Sequence, residues 1–166
     1  IIKNITYAPF IFNMAIALGV LEGIRTFTFI DGFKDTSFNI KWPNDIVLTE
    51  NSGVRKIAGI LIENFWRGEN QTASIVGIGV NLDTQFSKDH ISGFNLMPGN
   101  LNDYLSENIS ALNLELPIIN SIQNRIHMLS TERGDEIILT DFNKELFVNF
   151  FFIFFEIIFY LTLKLI

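Results

Sequence analysis

The residues with chemistry to offer are crowded into positions 41–81. They form three blocks: Lys41-Trp42-Pro43-Asn44-Asp45, then Lys56-Ile57-Ala58-Gly59-Ile60-Leu61-Ile62-Glu63, then Gly77-Ile78-Gly79-Val80-Asn81. A lysine set in an apolar run can neutralise negative charge that develops during a reaction. An asparagine amide both donates and accepts, and an aspartate offers oxygen to a cation or a hard metal. A glycine inside a strand lets a ligand approach the backbone closely. Taken singly, each residue also has an ordinary reading. Lys56 fits an edge lysine whose stem lies on apolar surface, Gly59 a bulge, Asn44 a turn and Asp45 a solvated strand start. Gly77-Ile78-Gly79 lacks the strand-to-helix setting of a dinucleotide fingerprint. Only the combination points to chemistry.

The elements that must position these groups read as strands. Residues 45–50 and 56–65 are β-rich runs separated by Asn51-Ser52-Gly53, a hairpin turn whose glycine can take positive φ. Arg67-Gly68-Glu69-Asn70 makes a second turn, and 72–82 a third strand. The three form an antiparallel meander with Asn44, Asp45 and Asn81 near strand ends. Residues 37–42 alternate as a strand leading into the first block. Phe10, Met14, Ala17, Leu18, Leu21 and Ile24 recur at helical spacing, so 10–25 reads as an amphipathic helix packed on the sheet.

In their order, the three blocks closely resemble the catalytic domain of biotin-protein ligases. The resemblance implies an α/β (α+β) fold with a mixed, mainly antiparallel sheet flanked by helices, of the class II aminoacyl-tRNA synthetase-like kind. It implies an ATP-dependent activation of biotin to biotinyl-5'-AMP, then transfer to a lysine on the biotin carrier domain of a biotin-dependent carboxylase. Lys56 matches the lysine the family places beside the biotin carboxylate and the α-phosphate. Gly59, Leu61, Gly77 and Gly79 match residues lining the biotin slot. Asn44, Asp45 and Asn81 match the ATP and adenylate side, with Asp45 associated with the nucleotide's Mg2+. A lipoate-protein ligase shares fold and chemistry and is the alternative enzyme, although Lys-Trp-Pro-Asn-Asp favours biotin. An inactive biotin-binding remnant is the alternative from outside enzymology.

The resemblance covers about residues 7–147, the second half of such a domain. The family's Gly/Arg-rich adenylate loop and its C-terminal β-barrel domain are both missing from the sequence, so the chain reads as a fragment that does not ligate biotin by itself. The reading divides it into 1–147, a partial catalytic domain, and 148–166, an apolar tail.

Composition agrees with one globular domain. The 166 residues are 48% hydrophobic and 18% charged, enough to bury one core. A net charge of −6 without a Lys/Arg cluster argues against nucleic acid, and the lack of cysteine excludes disulfides and thiolate metal sites. The lack of cysteine suits the cytoplasm. His90 and His127 have no second ligand at metal spacing and read as ordinary residues. Residues 27–33 form an apolar run of open type. Residues 101–105 and the stretch from Pro117 to Leu129 read as helices, with Pro117 near the first turn, and 141–147 as the start of another. Seven of the 17 phenylalanines fall in 147–159. By length 146–166 could cross a bilayer, but Glu156 near its middle makes that expensive. The tail reads first as a frameshifted or truncated end, then as a partner-covered helix, and last as a membrane anchor.

Overall fold

The computed structural model describes residues 2–3, 7–31, 38–86 and 96–147. The tail at 148–166, His90 and residues 32–33 of the apolar run lie outside these residues. The long hairpin predicted from the turn glycines is present. β3 (Asp45–Glu50) turns at Gly53 (φ 134°) into β4 (Gly53–Arg67), which turns at Gly68 (φ 63°) into β5 (Asn70–Val80). Both glycines occupy backbone that L side chains avoid. β2 (Phe38–Lys41) lies antiparallel to β3, and the two-residue β1 (Ile2–Lys3) lies antiparallel to β5, giving the order β1-β5-β4-β3-β2. A further short strand, β6 (Met97–Pro98), runs parallel to Arg55 and Lys56 of β4. It continues the side of β4 that β5 leaves at Val80. The sheet is therefore mixed and mainly antiparallel, with helices stacked against one face.

α1 (Pro9–Arg25) starts on a proline, tolerated where the N–H would be unpaired anyway. The sequence predicts an amphipathic helix here, but α1 is buried on nearly every side. Its sheet-facing residues join Phe38, Ile40, Ile46, Leu48, Ile57 and Ile60 in one core. Its other face is covered by α2 (Ala111–Leu129). Gly19 and Gly23 permit this, because a Cβ on either would sit 2.6 Å from the Cα of Ile122 or Ile118. α2 begins six residues before Pro117, so the proline lies inside the helix and not near its start. The start signal is Ser110, whose backbone N–H and hydroxyl both donate to Asn113 Oδ1.

α3 (Gly134–Glu145) also departs from expectation, since 141–145 end a helix instead of beginning one. Asp135 and Glu136 occupy its first turn, where negative charge favours the helix dipole. Arg125 of α2 ties the helices together by donating to Glu22 of α1 and to Asp141 of α3 at 2.7 Å. After α3 the chain bridges Ile40 through Leu146, and Phe147 N–H donates to Ile40 O at 2.8 Å, covering part of the β2 edge. Residues 101–104 form one 3-10 turn, not a full helix, and Phe29 makes a single bridge to Leu105. His127 is exposed on α2. Among the described residues no helix is long and apolar enough to cross a membrane.

Candidate functional site

Residues directly opposite one another on neighbouring strands share a face of the sheet. Asp45 on β3 is opposite Gly59 on β4, and Gly59 is opposite Gly79 on β5. One line of positions therefore crosses three strands and spans about 10 Å at a strand spacing of about 4.8 Å. Leu61 opposite Gly77 forms the next line. This face points away from the helices. Leu61 is 63% exposed, and a Cβ on Gly79 would meet nothing within 4 Å. The result is a shelf of bare backbone flanked by one leucine.

Lys56 would not reach this shelf from a regular strand, because positions three apart point to opposite faces. The register shifts between Ile46, opposite Ala58, and Val47, opposite Lys56, so Ile57 is an extra residue on β4. This bulge lets Ile57 and Ala58 both turn into the core. Lys56 is thereby carried onto the Gly59 face, where its Nζ lies 2.6 Å from Asp45 Oδ1. Lys41 Nζ lies 4.0 Å from Asp45 Oδ2. Asp45 thus has an ammonium on each oxygen. Lys41 is a member of the site that the motif reading did not single out, although its position four residues before Asp45 was visible.

The two asparagines brace strand ends. Asn44 Nδ2 donates to Ile60 O at 2.7 Å, and Ile60 N–H returns a bond to Asn44 O at 2.9 Å. Asn81 Nδ2 donates to Lys56 O at 3.1 Å, and Gly99 N–H donates to the same oxygen at 3.0 Å. The backbone of Lys56 is held on this side by Asn81 and β6, and on the other by Val47. Behind the first block, Trp42 packs against Phe10 of α1 with ring centroids 5.1 Å apart, and edge-on to Phe142 of α3 at 6.2 Å. That anchors the Trp42-to-Asn44 turn, whose Trp42–Pro43 peptide is cis.

Magnesium needs several oxygen ligands in near-octahedral geometry and is commonly held by one or two carboxylates plus substrate phosphates. Here the single carboxylate carries a cation on each oxygen, and no cluster of three His, Cys, Asp or Glu occurs among the described residues. This donor set does not fit a protein-held metal. A separate cleft of about 240 Å³ beside β6 is lined by Glu50, Arg55, Tyr104 and neighbours, and none of the shelf residues lines it. The hydrogen bond from Arg55, then that from Ser52, holds the Glu50 carboxyl below its ordinary range there. Burial, then the Glu50 charge, pushes the Tyr104 hydroxyl up.

Residues 2–81 match the family model described as "Biotin/lipoate A/B protein ligase family". The chain is 32% identical over 89 residues to a biotin–protein ligase of Schizosaccharomyces pombe, covering 48% of this chain and 14% of that protein. It is 56% identical over 43 residues to a biotin–[acetyl-CoA-carboxylase] ligase of Paracoccus denitrificans, covering 26% of this chain and 16% of that protein. Among solved structures it resembles biotin protein ligase from Aquifex aeolicus in complex with biotin and ATP. There the TM-score is 0.61 at 19% identity, over 84% of this chain and 52% of the other. It also resembles the Leishmania major enzyme in complex with biotin, with a TM-score of 0.52 at 22% identity, over 83% and 52%. The chain thus spans a small part of the two sequence relatives and about half of the solved structures, and the structural likeness shows a shared fold.

Proposed function

We propose, from the premise that residues 2–81 belong to the biotin/lipoate A/B protein ligase family, that this chain is part of an ATP-dependent biotin–protein ligase. The observation that carries the reading is the Lys56 ammonium, held by Asp45 at the end of a shelf of bare backbone. Biotin would lie along Gly79 and Gly77 beside Leu61, with its carboxylate toward Lys56 at the Gly59 end. A carboxylate oxygen attacks the α-phosphorus of ATP, and pyrophosphate leaves. A carrier-domain lysine amine then attacks the acyl carbon of biotinyl-5'-AMP, losing a proton as AMP departs. Lys56 stabilises the negative charge in both steps, a role in which loss of one donor typically costs about 2.7 to 4 kcal/mol. Asp45 keeps that ammonium in place. Asn44 and Asn81 hold the strand ends on the nucleotide side. The use of ATP and the absence of cysteine suit the cytoplasm.

Calorimetric titration of the chain with biotin, with and without ATP, tests this reading. Biotin should bind the parent, ATP should tighten it, and Gly79→Val, which fills the shelf, should abolish it. Binding of lipoate in preference to biotin would move the assignment to a lipoate ligase. A folded chain that binds neither would overturn the proposal.

A further inference from the structure

The resemblance assigns Gly59 to the biotin slot together with Gly77 and Gly79, but the surroundings of these glycines differ. A Cβ on Gly79 would meet nothing within 4 Å, and one on Gly77 would make only ordinary contact with Leu61 O at 3.8 Å. A Cβ on Gly59 would lie 3.2 Å from Lys56 Nζ, 3.3 Å from Lys56 Cε and 3.6 Å from Asp45 Oδ1. The two lysine contacts are tighter than nearly all Cβ contacts, so the lysine tip must give way by a few tenths of an ångström, whereas the contact with Asp45 is ordinary. The space that Gly59 leaves empty is where the ammonium rests. Three features therefore converge on one atom. The Ile57 bulge turns Lys56 onto this face, Asp45 holds its Nζ at 2.6 Å, and Gly59 supplies the seat.

We propose that Gly59 is a positioning residue that acts through Lys56, fixing where the ammonium sits, and that it is not primarily a wall of the ligand slot. The backbone requires no glycine there, since Gly59 lies in regular strand pairing opposite Asp45 and Gly79. The need comes from the lysine. Because the atoms in the way are the end of a flexible side chain, alanine at 59 leaves the fold intact while displacing Nζ toward solvent. This rests on the ligase reading only for its kinetic consequence. Misplacing a reacting-centre group by about 1 Å can cost about 10²-fold in rate. The shift at Gly59 is smaller, so in an active ligase Gly59→Ala should lower kcat by about 10-fold with little change in KM for biotin.

The placement itself is tested without substrate, by NMR of the whole chain carrying 13C,15N-labelled lysine, with Lys56 assigned from the signal lost in Lys56→Gln. A clamped side chain should show two resolved Hε signals. Gly59→Ala and Asp45→Asn should merge them to the averaged position of a free lysine. Gly79→Ala, the same chemical change directly across the strand pair, should leave them resolved. Retention of the two signals in Gly59→Ala overturns the proposal, as does their equal loss in Gly79→Ala. A Gly59→Ala chain that fails to fold overturns it too, because the glycine would then be structural. Absence of biotin binding by the parent would count against the ligase reading alone, since the lysine signals are read without substrate.

Discussion

At the scale of single residues, the site is an ammonium, a carboxylate and the absence of a side chain. Asp45 faces Lys56 and, more loosely, Lys41, and all three side chains are partly exposed. Ion pairs of that exposure contribute little to stability, typically under about 1 kcal/mol. Asp45→Asn should therefore barely move the thermal melt. In an active ligase it should still slow biotin-dependent pyrophosphate release, because the lysine loses its anchor; a large drop in melting temperature with an unchanged rate would reverse that assignment. The sequence groups Lys56, Asp45 and Gly59 through block order alone. It could not place them in contact, since strict alternation puts Lys56 and Gly59 on opposite faces. The extra residue at Ile57 leaves no pattern of its own, because Ile57 and Ala58 are as apolar as their neighbours.

At the scale of elements, the strands and turns were legible because glycines mark the turns and apolar residues fill the runs. Gly53 and Gly68 do what turn glycines are expected to do. The helices were less legible. The start of α2 was hidden because Ser110 and Asn113 stand ahead of a proline that reads as a helix start. The burial of α1 on both sides was hidden because Gly19 and Gly23 look like weak helix positions until α2 lies across them. That packing supplies an element-scale prediction. In an exposed helix, Gly→Ala would gain about 1 kcal/mol of propensity. At Gly19 the new methyl meets backbone at 2.6 Å, so the helices must part, and overpacking of this kind costs about 1–3 kcal/mol. Gly19→Ala should lower the midpoint of urea unfolding, and a raised midpoint would mean that α1 and α2 pack less closely than described.

At the scale of the described molecule, the sheet and helices α1, α2 and α3 are joined by one core and by the Glu22–Arg125–Asp141 network. The hydrogen bond from Arg125, then that from Lys144, holds the Asp141 carboxyl below its ordinary range despite some burial. A depressed folded-state value means that this stabilisation is present above the unfolded value of about 3.9 and fades as pH falls through the lower folded value. Melting temperature should thus hold steady above about pH 5 and fall below about pH 4, and Asp141→Asn should be less stable than the parent near neutrality with a shallower acid decline. An unchanged acid profile in that variant would remove the network from the acid response. The central claim, that residues 41–81 carry an adenylation site worked by Lys56, is tested most directly by exchange. Residues 41–81 would replace the matching strands of the Aquifex aeolicus ligase, and biotin-dependent pyrophosphate release would be followed in the chimera and in its Lys56→Ala variant. The chimera should turn over, and the variant should be slower by about 10²–10³-fold at an unchanged melting temperature. Equal rates in the two, or a folded chimera with no biotin-dependent release, would contradict the claim.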